Sequence, residues 1–208
     1  MKFKIFIVIL ITLFAGTLLL LKSNIIGNNA ATQTSKKKIL VAYFSRTGTQ
    51  RNVGNITKGN TAIIGEMIAA KTGADLFEIK VAEDNYPKKY SDLLSYAQKE
   101  KEEGVRPEIV GNAHIEDYDV IFVGYPNWWQ DLPMPVYTFL ESYDFSGKRV
   151  IPFCTHEGSG LVGTEKQLRR IVTTANVESG IGIYGHIAQN NPQEAEKKLD
   201  IWLKDLRF

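Results

Sequence analysis

From residue 38 to the end of the chain, strand patterns and helix patterns alternate, and this alternation restricts the fold more than any other feature. The run ILVAYF at 39–44 is apolar throughout, as expected of a strand that is covered on both faces. Five strands alternating with five helices predict an α/β domain at 38–208, with a parallel sheet and helices on both faces. Strands are predicted over 39–44, 76–81, 120–124, 149–154 and 177–184, and helices over 62–71, 89–103, 135–142, 163–175 and 192–206.

Three loops of this pattern are the places where a ligand site is expected. In open parallel sheets, ligands bind beyond the carboxyl ends of the strands, near the point where the strand order reverses. The loops that follow Phe44, Gly124 and Cys154 lie at that edge of the predicted sheet. Each of them has a composition that is unusual for a plain connection.

The first loop, Ser45-Arg46-Thr47-Gly48, has the composition of a phosphate site. It leaves a buried strand and leads toward a helix, so its hydroxyls and backbone N–H groups lie where a helix N-terminus favours an anion. It lacks the Gly-Lys-Ser/Thr ending of a Walker motif, and it is not the dinucleotide pattern G-x-G-x-x-G. The alternative is that these residues only cap the following helix.

The second loop, 124–129 (GYPNWW), contains two adjacent tryptophans. Trp128 and Trp129 would be unfavourable if fully exposed directly after a strand. At the edge of a sheet they suit a wall against a flat aromatic ligand. The alternative is that one or both only pack beneath a neighbouring helix.

The third loop, 155–160 (THEGSG), is short, polar and rich in glycine. Its backbone can therefore approach a ligand closely. His156 is either a general acid or a surface residue, and we favour the surface residue.

Together these motifs resemble the flavodoxin family, and most closely the flavodoxin-like proteins with the motif Gly-Tyr-Pro-x-Trp-Trp. The resemblance covers about residues 38–206 and implies a three-layer flavodoxin-like sandwich with the strand order 2-1-3-4-5. It also implies a bound flavin mononucleotide (FMN). The implied phosphate residues are Ser45, Arg46, Thr47 and Gly48, and those on the two sides of the flavin ring are Pro126, Asn127, Trp128 and Trp129, then Thr155, His156, Glu157, Gly158, Ser159 and Gly160.

The first loop departs from the family pattern, in which Ser-x-Thr-Gly continues with Asn-Thr directly into the helix. Here Asn60 and Thr61 follow only after residues 49–59, just before the helical pattern begins. We favour an insert over 49–59, with Asn60 and Thr61 making the last phosphate contacts and capping the helix. The alternative gives Thr49 that role and makes 52–61 a separate excursion. The insert is expected either to fold over the cofactor or to form a partner surface.

Charge and cysteine content exclude several classes of function. Six basic residues and no acidic residue precede position 39; removing these six from 25 leaves 19 Lys and Arg against 23 Asp and Glu. Residues 39–208 therefore carry a charge of about −4, which argues against nucleic-acid binding. Cys154 is the single cysteine, so neither an intrachain disulfide nor a Cys-ligated metal site is expected.

Residues 1–22 have the composition of an export signal or a membrane anchor. Two lysines precede an apolar run over 5–21, which is at the lower limit of the roughly 17–25 residues that span a bilayer. We favour an uncleaved anchor, followed by a polar linker over 23–37. The two lysines predict a domain on the extracytoplasmic side, whereas the three lysines at 36–38 weaken that prediction.

Two redox functions and one binding function remain open. The flavin would carry out the redox chemistry, so no Ser-His-Asp or paired-carboxylate signature is needed, and none is present. The candidates are an electron carrier serving a redox partner protein or small-molecule acceptor, an NAD(P)H-dependent FMN or quinone reductase, and a binding module without cofactor. An extracytoplasmic location, poor in NAD(P)H, favours the carrier. The weakly negative net charge of residues 39–208 favours the reductase, because typical carriers are strongly acidic.

Overall fold

A computed structural model describes residues 37–208, and a parallel β-sheet with five strand positions lies at the centre of this domain. The strands are β1 (Ile39–Tyr43), β2 (Gly48–Gln50), β3 (Gly54–Ile56), β4 (Asp75–Glu78), β5 (Lys80–Val81), β6 (Ile109–Val110), β7 (Val120–Pro126), β8 (Arg149–His156), β9 (Asn176–Val177) and β10 (Ile181–Tyr184). The helices are α1 (Asn60–Thr72), α2 (Tyr90–Glu103), α3 (Met134–Ser142), α4 (Thr164–Ile171), α5 (Gly185–Asn190) and α6 (Pro192–Asp205), with one 3-10 turn at Ile115–Asp117.

The order of the strands confirms the predicted α/β fold. β4, β1, β7 and β8 lie side by side, and β9 and β10 both pair with β8 on its other side. All of these pairs are parallel. This is the order 2-1-3-4-5, with the reversal between β1 and β7. A ligand site is therefore expected beyond the C-terminal ends of these two strands and of β8.

Both faces of the sheet are covered, which explains why β1 and β7 are apolar throughout. The side chains of β1 alternate between two buried clusters: Leu40 and Ala42 belong to one, and Val41 and Tyr43 to the other. The first cluster is completed by α2, α3 and α4, and the second by α1, α5 and α6. The domain is thus a three-layer sandwich.

The last predicted strand is divided into β9 and β10. Arg149 pairs with Asn176, an offset of 27 residues, whereas Phe153 pairs with Ile181, an offset of 28. One extra residue is therefore accommodated between the two pairs as a bulge. Pro152 of β8 lies at this point, and it has no N–H group to donate to a neighbouring strand.

Other predicted boundaries also need correction. The strand predicted over 76–81 ends at Glu78, and the chain then turns to form β5, which pairs with β6 in a separate two-stranded sheet. The helix predicted over 163–175 ends at Ile171, because the β-branched residues at 172–174 disfavour its continuation. The short helix α5 was not predicted.

The predicted signal or anchor segment lies outside the described residues, as does all but the last residue of the predicted linker. Within residues 37–208, no helix has the length and apolar character that a membrane span requires.

Candidate functional site

A cavity of about 330 Å³ opens at the C-terminal ends of β7 and β8, beside the start of α1. Nine of the sixteen predicted site residues line it: Asn60, Pro126, Asn127, Trp128, Trp129, Thr155, His156, Glu157 and Ser159. The other seven lie outside its lining: Ser45, Arg46, Thr47, Gly48, Thr61, Gly158 and Gly160.

The lining residues fall into two groups by character. The polar lining consists of Gln50, Arg51, Asn60, Asn127, Thr155, His156, Glu157 and Ser159. The apolar lining consists of Tyr90, Leu93, Leu94, Ala97, Pro126, Trp128 and Trp129. A pocket with one apolar, aromatic wall and one polar wall suits a ligand that has a flat ring and a polar tail.

The first loop packs against the start of α1. The Ser45 hydroxyl accepts a hydrogen bond from the backbone N–H of Ala62 at 3.0 Å. Only glycine fits at position 59, because an added Cβ would lie 2.1 Å from Ser45 Oγ and 2.5 Å from the carbonyl oxygen of Arg46. The loop and the N-terminus of α1 therefore form one closely packed unit behind the polar lining.

The Arg46 side chain does not face the cavity. Its guanidinium pairs with Asp84 at 2.6 Å, donates to the carbonyl oxygen of Tyr86 at 3.0 Å and lies over the Tyr86 ring. The side chain is buried in these contacts. The predicted phosphate loop therefore offers hydroxyls and backbone groups, but its one cation is engaged elsewhere.

The prediction that Asn60 and Thr61 cap α1 is wrong. Gly59 is the N-cap residue and has no side chain to make a capping bond, and Asn60 and Thr61 form the first turn of the helix. Ser45 performs this role from the preceding strand loop, through its bond to the N–H of Ala62. The N-terminus of α1 is thus capped by Ser45, a residue outside the helix, and not by Asn60 or Thr61.

The side chains of Asn60 and Thr61 connect α1 to the rest of the site. The Thr61 hydroxyl forms a buried 2.8 Å hydrogen bond with the hydroxyl of Thr155 in the third loop. The Asn60 side-chain oxygen accepts from Gln189 Nε2 of α5 at 2.9 Å. The start of α1 is thus fixed against two neighbouring segments.

Asn127 joins the second loop to the third. Its backbone N–H donates to the carbonyl oxygen of Thr155 at 2.9 Å, and its side-chain Nδ2 donates to the carbonyl oxygen of Gly160 at 2.7 Å. These bonds hold the two loops on the same side of the cavity.

The two tryptophans line the cavity in different ways. Trp128 is half-buried, with ring centroids 5.6 Å from both Phe44 and Tyr86. Trp129 is 46% exposed, and its side chain makes one hydrogen bond, from the indole N–H to the carbonyl oxygen of Leu94 at 3.0 Å. Trp128 therefore belongs both to the core and to the apolar lining, whereas Trp129 only borders the cavity.

His156 is neutral near pH 7, because burial lowers the pKa of its imidazole. Its Nδ1 accepts a hydrogen bond from the backbone N–H of Gly158 at 3.0 Å. The proton of the neutral ring is therefore on Nε2. Gly158 has a φ of 130°, a conformation that side-chain-bearing residues rarely adopt, which explains the glycine at this turn.

Glu157 is the centre of a hydrogen-bonded cluster. Its carboxylate accepts from the backbone N–H of His186 at 2.8 Å, from His186 Nδ1 at 2.7 Å and from Asn52 Nδ2 at 3.0 Å. Burial by itself would raise the pKa of Glu157, but these bonds outweigh it, and the pKa lies below its usual value. The carboxylate is thus ionised and already has partners.

The predicted insert forms a β-hairpin beside the cavity. β2 and β3 pair antiparallel, and the polar lining includes Gln50 at the end of β2 and Arg51 in the turn that follows. Asn52 adopts a φ of 60°, which asparagine tolerates better than most residues, and its side chain reaches Glu157. The insert therefore contributes to the polar lining, while its two expected roles, folding over the cofactor or forming a partner surface, stay predictions.

Six lining residues were not predicted from the sequence: Gln50, Arg51, Tyr90, Leu93, Leu94 and Ala97. The last four belong to α2, which is otherwise strongly charged. The apolar residues at the start of that helix were the available signal. The two hairpin residues carried no signal, because their polar segment has no helix or strand periodicity.

The described residues offer no metal site. Within 37–208, no group of three or more His, Cys, Asp or Glu side chains is arranged to hold a metal ion. Burial raises the pKa of the Cys154 thiol to about 12, and the thiol donates to the carbonyl oxygen of Gly160 at 3.2 Å. Cys154 is therefore a protonated, structural residue at neutral pH.

The fold and the cavity together define a doubly wound α/β protein with an aromatic-lined ligand pocket at the carboxyl edge of its sheet. The chain belongs to the flavodoxin family, because the family model for flavodoxin matches residues 38–202.

Solved structures agree with this assignment. A candidate flavoprotein from Bacteroides eggerthii is 31% identical, with 79% of this chain and 97% of that chain covered and a TM-score of 0.62. A candidate flavoprotein from Bacteroides uniformis is 30% identical, with 79% and 98% covered and a TM-score of 0.62. A flavoprotein from Lactobacillus acidophilus shares the fold, with 23% identity, 70% and 93% coverage and a TM-score of 0.58. No curated protein sequence matches the chain significantly.

Proposed function

We propose that this protein binds FMN in the cavity and transfers electrons through it. The observation that carries the proposal is the pairing of an aromatic wall with a polar wall at the start of α1, at the carboxyl edge of a flavodoxin-family sheet. The first backbone N–H groups of a helix have no acceptor within the helix and favour an anion. Asn60, in the first turn of α1, lines the cavity, so an anionic tail can approach this turn.

The residues present fit a flat ring as well as an anionic tail. Trp128 and Trp129 offer indole surfaces, and the bond from Asn127 to Gly160 holds the third loop beside the loop that carries them. The Ser45–Ala62 bond and the close approach of Gly59 keep the first loop against α1. When bound, FMN supplies the redox chemistry, and the protein supplies orientation and exclusion of water.

A related structure supports the choice of cofactor. The Lactobacillus acidophilus flavoprotein that shares this fold is a complex with FMN. Within the third loop His156 is neutral and Glu157 is ionised, so this loop brings one negative charge to the polar lining. No protein nucleophile is required for an electron-transfer role.

The visible spectrum of the purified full-length protein tests FMN binding. A yellow protein with flavin absorption, or a colourless one that takes up added FMN, is expected. A colourless protein that takes up no FMN would contradict the proposal and favour a binding module without cofactor.

A second candidate function is an FMN-dependent reductase that takes hydride from NAD(P)H and passes electrons to a quinone or similar acceptor. The mild charge of about −4 on residues 39–208 favours it over a carrier. Anaerobic mixing of the FMN-loaded protein with NADH and with NADPH separates the two. Rapid loss of the oxidised flavin absorption favours the reductase, and a stable spectrum favours the carrier.

We further infer that the domain acts at a membrane, on the extracytoplasmic side, where it meets a redox partner protein or a small-molecule acceptor. The support is the apolar run over 5–21 after two lysines. Protease added to intact cells should remove the domain, and full protection would contradict this location.

A further inference from the structure

Arg51 is the one Lys or Arg among the described residues that line the cavity. It lies in the turn of the β2–β3 hairpin, and its side chain is exposed. Within residues 37–208 it has no ion-pair or hydrogen-bond partner, whereas Arg46, Arg106 and Arg149 each pair with a carboxylate. A guanidinium without a protein partner is therefore present in the polar lining.

The acid in the lining does not form an ion pair with this guanidinium. Glu157 is the one Asp or Glu among the lining residues. Its two carboxylate oxygens accept hydrogen bonds from His186 and from Asn52. Arg51 is thus left to interact with whatever occupies the cavity.

The hairpin that contains Arg51 is anchored on both sides of it. The Thr49 backbone N–H donates to the carbonyl oxygen of Lys88 at 2.9 Å, and Asn52 Nδ2 donates to Glu157 at 3.0 Å. Farther along, Gln189 Nε2 donates to the carbonyl oxygen of Lys58 at 2.6 Å. The backbone at Arg51 is therefore ordered before a ligand binds, which lowers the entropy cost of a contact from this residue.

The predicted phosphate loop presents hydroxyls and backbone N–H groups to an anion, but no free cation. Arg46, the one cation of that loop, is bound to Asp84 and to the carbonyl oxygen of Tyr86. The N-terminus of α1 contributes only a partial positive charge. Arg51 lines the same cavity as Asn60 at the start of α1, and a guanidinium matches the geometry of a phosphate group.

We propose that Arg51 pairs with the phosphate of bound FMN and selects FMN over riboflavin, an inference that rests on the proposed function. The residue lies on the insert over 49–59, outside the loop that the family resemblance assigns to the phosphate.

The test measures the dissociation constants of FMN and riboflavin for full-length wild type, Arg51→Gln, Arg51→Lys and the control Arg170→Gln. Arg170 lies on α4, where its side chain reaches only Gln167, so this control has the same net charge as Arg51→Gln without touching the cavity. Arg51→Gln should weaken FMN binding by about 10- to 100-fold and leave riboflavin binding unchanged. Arg51→Lys should recover part of the loss, and Arg170→Gln should behave as wild type.

Two results overturn the inference while the proposed function stands. In one, wild type binds FMN and Arg51→Gln binds it equally well, which shows that the guanidinium does not hold the phosphate. In the other, Arg51→Gln loses FMN and riboflavin to the same extent, which indicates a structural role. A wild type that binds neither flavin is a different outcome, because it removes the proposed function itself.

Discussion

The polar and the apolar lining of the cavity are held in place by different interactions. Behind the polar lining, Ser45 and Gly59 meet at a distance that leaves no room for a methyl group. Behind the apolar lining, Trp128 packs against Phe44 and Tyr86 with ring centroids 5.6 Å apart. One side is thus ordered by hydrogen bonds and backbone contact, and the other by aromatic packing.

This difference predicts how each lining responds to substitution. Close backbone contacts tolerate almost no added volume, whereas an aromatic cluster that loses a ring relaxes in part. We therefore expect changes that add volume behind the polar lining to abolish ligand binding. Changes in the apolar lining should divide their effect between stability and binding.

The largest effect is expected from Gly59→Ala. The added Cβ would lie 2.1 Å from Ser45 Oγ and 2.5 Å from the carbonyl oxygen of Arg46, so the first loop must move away from α1. We expect a loss of about 3 kcal/mol in the free energy of unfolding and no measurable FMN binding. Urea denaturation and FMN titration measure the two.

Gly104→Ala is the control for this substitution. Gly104 has a φ of 62° and open space around it, and it ends α2 away from the cavity. Alanine there should cost about 1–2 kcal/mol of stability through backbone strain and leave FMN affinity unchanged. If Gly59→Ala bound FMN as wild type does, the contact between the first loop and α1 would not matter for the ligand.

A smaller and divided effect is expected from the two tryptophans. Trp128→Ala should lower the free energy of unfolding by about 2 kcal/mol and weaken FMN binding, because Trp128 is half-buried and packs on the core. Trp129→Ala should cost less than about 1 kcal/mol of stability, since it loses a single hydrogen bond, and still weaken FMN binding. Equal destabilisation by the two variants would show that the contrast between them is wrong.

Ser45→Ala tests the bond behind the polar lining alone. Removing the hydroxyl leaves the N–H of Ala62 without its acceptor, and a lost cap costs about 1 kcal/mol. FMN affinity should fall in the same variant, and Ser45→Thr should restore part of both losses. Unchanged stability in urea denaturation would mean that α1 does not depend on this cap.

The smallest effect concerns pH and the hairpin. The pKa of Glu157 is lowered in the folded protein, so its contribution to stability is fully present above its unfolded pKa of about 4.3 and is lost as the pH falls through the folded value. Between about pH 5 and pH 3, the free energy of unfolding of wild type should therefore fall more steeply than that of Glu157→Gln. Parallel curves from urea denaturation across this range would exclude a role of Glu157 in acid sensitivity.

Much of the fold could be predicted from the sequence, because strand and helix periodicities record which side chains are buried. The order of the strands and the three loops at one edge of the sheet follow from that record and from the family resemblance. The division of the last strand could not be predicted in this way, since it depends on the register of that strand against Pro152. The contribution of α2 to the apolar lining could not be predicted either, because it depends on where that helix lies over the second loop.

Within the site, the sequence by itself determined which loops meet and which residue types they offer. Only the tertiary structure decided which of two nearby arginines faces the cavity. Arg46 is held away from it by Asp84, 38 residues later in the chain, and the turn that carries Arg51 is held toward it by the bond from Asn52 to Glu157, 105 residues later. The direction of a polar side chain in a loop is set by such distant partners, and no local pattern in the sequence records them.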